Sequence, residues 1–414
     1  MKICLVSSGL EEGNRQLQPW RYLFEIAETL AQEGHTVCLI SDKHRSAPPQ
    51  ETVAGLPVVR PSAWRGQCWR TYAEILRAVE AQKPELLLWH MGITSFLHLS
   101  GLQGVTCPVV GIFTSPVYRP GELLAPGLLP LLRGYRLSAV HLLGLLVPRR
   151  SMRRAMDRAR IQRLVVECKT TYARLLDGGI PAHRLQIFQP GIDHIWLQTE
   201  ISLAERARKR QEMGLPRDDF VVAYFGPPDR LRGLPTLLKA ISLLQNARPA
   251  IRALILSRQR DGDTSVGRIV RRLNVGQRTH IVSGFLAQDE LVHAVAACDA
   301  VALPFQIIPS DVPLSVLEAM ALGLPLITTD VACLPELVPA GAGILIPPGK
   351  PGALATAIAT LAQDRALRAR LAAAARQRAI AWEMVRHRGP MGTSPLNHRA
   401  LNHDDTYLHL PGRR

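Results

Sequence analysis

The sequence predicts an α/β protein made of two successive, mostly parallel, doubly wound units facing a central cleft. Short apolar runs alternate with amphipathic helical runs along most of the chain. The alternation breaks at a charged stretch, residues 199–219, and then restarts. The length of 414 residues exceeds one ordinary core and suits two of roughly 200 residues each.

In the first unit, residues 1–198, KICLVSS reads as a strand, WRYLFEIAETLAQEG as an amphipathic helix ending at Gly34, and HTVCLISD as a second strand. RTYAEILRAVEAQ follows as a helix, PELLLWH and PVVGIFTS as strands, and LQIFQPGID as the last strand with its exit loop. LAERARKRQEMGLPRDDF is polar and charged, a helix and turn linking the units. The second unit, residues 220–382, opens on the strand FVVAYFGP and continues with GLPTLLKAISLLQ (helix), IRALILS (strand), VGRIVRRLN (helix) and HIVSGF (strand). DELVHAVAACD (helix), AVALPF (strand), a further helix and strand within residues 310–330, GAGILIPPG and a helix from Pro351 complete it. Residues 383–414 lack periodicity, are rich in Pro, Gly, His and Arg, and predict an irregular tail.

A hydrophobic content of 47% indicates a globular protein. Cys4, Cys38, Cys68, Cys107, Cys168, Cys298 and Cys333 are scattered, mostly in apolar runs and never as C-x-x-C, so they read as reduced residues of a cytoplasmic protein. MKICLVSSG enters a strand directly, without the apolar stretch of an export signal. The net charge is +16, and half of it lies between Leu131 and Arg163, where nine arginines face one acid, Asp157. That segment also holds LSAVHLLGLLVP, residues 137–148, too short to span a bilayer. An apolar run beside an arginine cluster suits an anionic membrane surface, placing the protein peripherally on the inner face of the cell membrane. The plain alternative is a solvated helix face. Nucleic acid is disfavoured, because the segment lacks interleaved aromatics and no nucleic-acid-binding signature occurs elsewhere.

The segment SDVPLSVLEAMALGLPLITTD, residues 310–330, carries the strongest chemical signal. A helix beginning at Pro313-Leu314-Ser315 directs backbone N–H groups and a positive dipole end toward an anion. Glu318, within its first turn or so, is placed to accept hydrogen bonds from sugar hydroxyls. After the strand FVVAYFG, Gly226 permits a close backbone approach, and Arg230 and Arg232 stand just before a helix start, where cations serve a diphosphate better than they serve the dipole. Asp261-Gly262-Asp263 has D-x-D spacing but lies in a polar turn, so no metal site is expected; nucleotide-triphosphate and nucleophile-elbow motifs are absent.

VLEAMALGLPLITTD resembles the signature of retaining glycosyltransferases of family 4, which have the GT-B fold of two Rossmann-like domains. The resemblance covers residues 215–362 well and the first unit mainly by topology. It implies that Glu318 binds the nucleotide ribose, that Ser257 at the end of IRALILS meets the nucleotide, and that Gly284-Phe285 holds the base through backbone contacts. It implies a histidine facing the sugar at His90, and a glutamate eight positions before Glu318, where this chain has Ser310 with Asp311 beside it. Pro227 stands where the family has arginine, and Arg232 where it has lysine; Arg230 compensates. Gly191-Ile192-Asp193 resembles the family's interdomain turn, with Pro190 in place of asparagine. The implied activity is metal-independent transfer of a sugar, with retention, from a nucleoside diphosphate sugar to a lipid-linked or glycan acceptor in cell-envelope or glycan biosynthesis. The departing diphosphate would be stabilised by Arg230, Arg232 and the amides at Leu314 and Ser315. A non-catalytic GT-B protein that binds a nucleotide or partner is the alternative, and a nucleic-acid-binding protein ranks below it.

Overall fold

Alternate residues of the first strands feed two apolar layers. In β1 (Lys2–Val6), Cys4 and Val6 enter one layer while Ile3 and Leu5 enter the other, so both faces of the sheet are covered. The computed structural model describes residues 1–42, 50–62, 64, 72–125, 135–257, 264–284 and 286–388. The first sheet adds β2 (Thr36–Ile40), β3 (Gln50–Val53), β4 (Leu56–Val59), β5 (Leu86–Met91), β6 (Val109–Phe113), β7 (Ile161–Val166) and β8 (Leu185–Ile187). Their spatial order is β3-β4-β2-β1-β5-β6-β7-β8, and only the β3–β4 pair is antiparallel. Helices α1 (Trp20–Gln32), α2 (Tyr72–Gln82), α3 (Pro120–Leu124), α4 (Tyr135–Leu145), α5 (Arg149–Arg158) and α6 (Lys169–Asp177) connect these strands.

The chain leaves this domain through α7 (His194–Gln198) and enters α8 (Leu203–Glu212). The second sheet, ordered β11-β10-β9-β12-β13-β14, is parallel throughout. It consists of β9 (Phe220–Phe225), β10 (Ile251–Ser257), β11 (Thr279–Ser283), β12 (Ala300–Leu303), β13 (Leu326–Thr329) and β14 (Ile344–Ile346). Between and after them run α9 (Leu234–Leu243), α10 (Thr264–Arg272), α11 (Gln288–Ala296), α12 (Leu314–Ala321), α13 (Leu334–Leu337), α14 (Pro351–Gln363) and α15 (Arg365–Arg388). All six residues of β9 are buried, as a central parallel strand requires.

The structure differs from the sequence-based expectation in four places. The hairpin β3–β4 has polar and Pro-containing strands that give no clean alternation. Strand β7 lies inside and just beyond the arginine-rich segment, whose charge hid it; Arg163 is a strand residue that donates to Gln186 at 3.0 Å. Helix α8 is fastened to the second domain: Arg210 is buried and donates to Ala297 O at 2.9 Å and to Asp299 at 2.5 Å. Finally, α15 continues to Arg388, six residues into the expected tail, and packs against α12. Residues 389–414 lie outside the described set.

Helix α4 carries most of the apolar run of residues 137–148, and its inner side is anchored by His141, buried edge-on to Tyr118. Its outer side exposes Val140 and Leu143, with Leu146 just beyond the helix 70% exposed. Among the described residues no helix is long and apolar enough to cross a membrane.

Candidate active site

Parallel sheets gather ligand-binding loops at the carboxyl ends of their strands, and several of the expected residues meet there. Gly226 N donates to Leu256 O at 3.1 Å, and Gly284 N donates to Ser257 O at 3.0 Å, so the ends of β9, β10 and β11 form one edge. Ser257 is buried and in register with Ser283. Gly226 has φ +118°, and the Arg232 guanidinium lies 3.2 Å from where a Cβ would stand, so the arginine folds over the glycine. Arg230 is exposed on the same loop. Phe285 and Asp261-Gly262-Asp263 lie outside the described residues.

The loop from Pro304 to Pro313 joins β12 to α12 and seats against this edge. Gln306 N and Ile307 N donate to Leu231 O at 2.7 and 3.1 Å, while Thr328 and Thr329 hydroxyls from β13 hold Leu303 O and Phe305 O. Gly233, φ +85°, sits so close beneath the loop that a Cβ would come 1.8 Å from Pro304 O. Helix α12 begins after Pro313 with Leu314 and Ser315 in its first turn. Glu318 is its fifth residue, opening the second turn, slightly deeper than the spacing suggested. Its carboxylate lies 3.4 Å from Arg21 on α1, and Arg21 also donates to Gly191 O at 3.3 Å. A cavity of about 630 Å³ opens beside this contact, lined by Arg21, Glu25, Gly191, Asp193, Gln288 and other residues of α1 and the interdomain turn.

Ser310 and Asp311 take a different direction. Ser310 is buried, and Asp311 is fully buried against the first domain. Asp311 N donates to Thr114 O at 2.9 Å, and its carboxylate accepts from the Thr171 hydroxyl at 2.5 Å and the Cys168 thiol at 3.4 Å. Burial pushes Asp311 up to about 7 against those hydrogen bonds. Beside it Glu167, also fully buried, accepts from Val312 N at 2.9 Å, and burial together with the Asp311 charge raises its carboxyl well above the usual range. His90, at the end of β5, has both ring nitrogens in use, with Ser7 Oγ at 2.7 Å and Thr114 Oγ1 at 2.8 Å. Burial lowers it to about 4. Thr114 therefore links His90 to Asp311, bringing two of the three expected catalytic residues into one interdomain network, with Ser310 buried next to Asp311 in the chain.

Sequence reasoning missed Arg21, Thr114, Tyr118, Glu167 and Glu336. Tyr118 OH accepts from Ile308 N at 2.8 Å, and Glu336 accepts from Lys169 N and from Thr170 N and Oγ1 across the domain boundary. The only signal available was Glu167, an acid directly after the apolar run of β7.

Two family models match the chain: "Glycosyltransferase Family 4" over residues 20–195, and "Glycosyl transferases group 1" over residues 205–378. The chain belongs to glycosyltransferase family 4. This family member is 30% identical over 194 residues to D-inositol 3-phosphate glycosyltransferase of Corynebacterium glutamicum, covering 45% of this chain and 46% of that protein. It is 27% identical over 245 residues to the enzyme of the same name from Salinispora arenicola, covering 54% and 53%. The match thus spans about half the length of these curated relatives. Sucrose-phosphate synthase from Thermosynechococcus elongatus shares the fold with a TM-score of 0.72 at 22% identity, covering 93% of this chain and 96% of that one. HepE of Anabaena in complex with UDP-glucose gives 0.64 at 19%, covering 93% and 97%. The family 4 chain accordingly has the GT-B fold, two parallel-rich α/β domains facing each other.

Proposed function

We propose that this protein transfers a sugar from a nucleoside diphosphate sugar to a membrane-associated lipid or glycan acceptor, with retention of anomeric configuration and without a metal. The observation that carries the reading is the single edge formed by Gly226, Ser257 and Gly284, with α12 and Glu318 rising beside it. In this reading Glu318 anchors the ribose, and Arg230, Arg232 and the amides of Leu314 and Ser315 meet the diphosphate. HepE, which was solved with UDP-glucose, supports a nucleotide-sugar donor.

Thermal stabilisation by a panel of UDP-, GDP- and ADP-sugars tests the donor site. One nucleotide should raise the unfolding midpoint, and Glu318→Ala should abolish the rise. No shift with any of them overturns the reading. Proton NMR of the product reports whether the anomeric configuration is retained.

A second reading, nucleotide binding without transfer, draws on Ser310 and Asp311 being turned into the domain interface and on His90 being engaged at both nitrogens. It predicts stabilisation by nucleotide but no release of nucleoside diphosphate with any acceptor extract.

For the acceptor side, the exposed apolar residues Val140, Leu143 and Leu146 adjoin α5, where Arg150, Arg153, Arg154 and Arg158 are exposed. Asp157, the sole acid nearby in sequence, pairs with Arg184 and, at 4.0 Å, with Arg153. Apolar side chains flanked by cations support docking on an anionic bilayer.

A further inference from the structure

Asp311 sits between two thiols that come from different domains. Cys168 precedes α6 on the first domain, and its Sγ donates to Asp311 Oδ2 at 3.4 Å. Cys333 precedes α13 on the second domain, and its Sγ donates to Asp311 O at 2.8 Å. The two thiols thus meet on one residue, Asp311, from opposite sides of the domain boundary. Cys168 is 0% exposed and Cys333 1%. Neither belongs to the donor edge described above. A second thiol pair, Cys4 and Cys38, faces across β1 and β2, but both residues lie in one sheet, so a bond there would join nothing that moves separately.

We propose that Cys168 and Cys333 form a redox-responsive pair whose disulfide fastens the two domains together. The proposal concerns how the domains are held and stands apart from what the cleft binds. The geometry sets the order of events. With the domains together, burial keeps both thiols protonated, and the adjacent acids oppose ionisation further. Oxidation therefore starts when the domains part. One thiol, written here as Cys168, loses its proton to solvent, and the thiolate attacks a low-molecular-weight disulfide, RSSR. A Cys168–SR bond forms, the R–S–S–R bond breaks, and RS⁻ departs. While the domains are still parted, Cys333 gives up its proton to that RS⁻ or to solvent; as they close, its thiolate attacks the Cys168 sulfur and releases the second RS⁻, which is reprotonated. The two protein thiols lose two electrons in all, and one small disulfide is reduced to two RSH. Disulfides in reducing compartments are typically of this reversible kind.

The test uses the full-length protein equilibrated with glutathione buffers from fully reduced to fully oxidised, followed by alkylation of the remaining thiols and digestion without reductant. The expected product is a peptide pair joining Cys168 to Cys333, lost on adding dithiothreitol. Its appearance should raise the midpoint of thermal unfolding by several degrees in the wild type, and by nothing in Cys168→Ser and Cys333→Ser. The wild-type peptide map decides the matter even if a serine variant folds poorly. Recovery of Cys168 and Cys333 only as separate alkylated or glutathionylated peptides would overturn the proposal, and so would a Cys4–Cys38 product alone.

Discussion

Asp311 is buried and His90 half-buried at the domain boundary, and desolvation moves their proton affinities in opposite senses. His90 falls from 6.5 to about 4, so the folded protein holds it neutral. Its contribution to stability is complete above the unfolded value and is lost as pH falls from 6.5 toward 4. Asp311 rises from 3.8 to about 7, so its contribution is complete below 3.8 and is lost as pH climbs toward 7. Calorimetric unfolding midpoints across pH 4–7 should separate the two. The difference between Asp311→Asn and wild type should move in favour of the variant with rising pH, by a few kcal/mol in total. For His90→Gln it should move in favour of the variant with falling pH. A parallel profile for either variant refutes its assignment. The positions of Ser310 and Asp311 were legible in the sequence, eight and seven places before Glu318, but their direction was not. A loop spacing fixes distance along the chain, whereas the choice between cleft and neighbouring domain is made by groups such as Thr114 and Thr171, more than a hundred residues away.

At the level of elements, the loop after β9 and the loop after β12 behave as one unit because Leu231 O receives two amides and Gly233 lies under Pro304. Gly233→Ala should be costly twice over: a side chain at φ +85° is strained, and its Cβ has no room. A loss of about 3 kcal/mol in denaturant unfolding is expected, with weakened nucleotide binding. Gly214→Ala, also at positive φ but with nothing within 4 Å, should cost only the conformational part, about 1 kcal/mol. Equal losses would show that the close approach is unimportant. Most elements could be read because buried parallel strands such as FVVAYF are continuous apolar runs. Strand β7 could not, since IQRLVV follows a run of arginines and places the polar Gln162 and Arg163 after its first residue, the buried Ile161. Helix α15 outran its expected end because Trp382 and Glu383 are held by partners distant in sequence: Trp382 Nε1 donates to Pro190 O at 3.0 Å, and Ile192 N donates to Glu383 at 2.9 Å.

Across the molecule as a whole, the described residues of α4 and α5 present a strongly basic, partly apolar face, and the membrane docking proposed for it is tested through its charge. Co-sedimentation with vesicles containing phosphatidylserine should be strong at low salt. It should weaken at least a hundredfold in the triple variant Arg150→Glu, Arg153→Glu, Arg154→Glu, with each surface cation worth about 1 kcal/mol. Unchanged sedimentation would assign that face to solvent. The two-domain plan was legible because the strand–helix alternation visibly stops and restarts. The contacts between domains were not, because Arg21, Thr170 and Glu336 are ordinary surface residues in sequence, and nothing there pairs Glu318 with Arg21. The grip of α15 on the interdomain turn also has a consequence in time. The turn at Pro190–Asp193 is synthesised about 190 residues before Trp382 and Glu383. At translation rates of about 5–20 residues per second, that interval lasts roughly 10–40 s. During it the first domain can complete its own core while the second is still being made, so the relative seating of the halves is decided last, when the closing helix emerges from the ribosome.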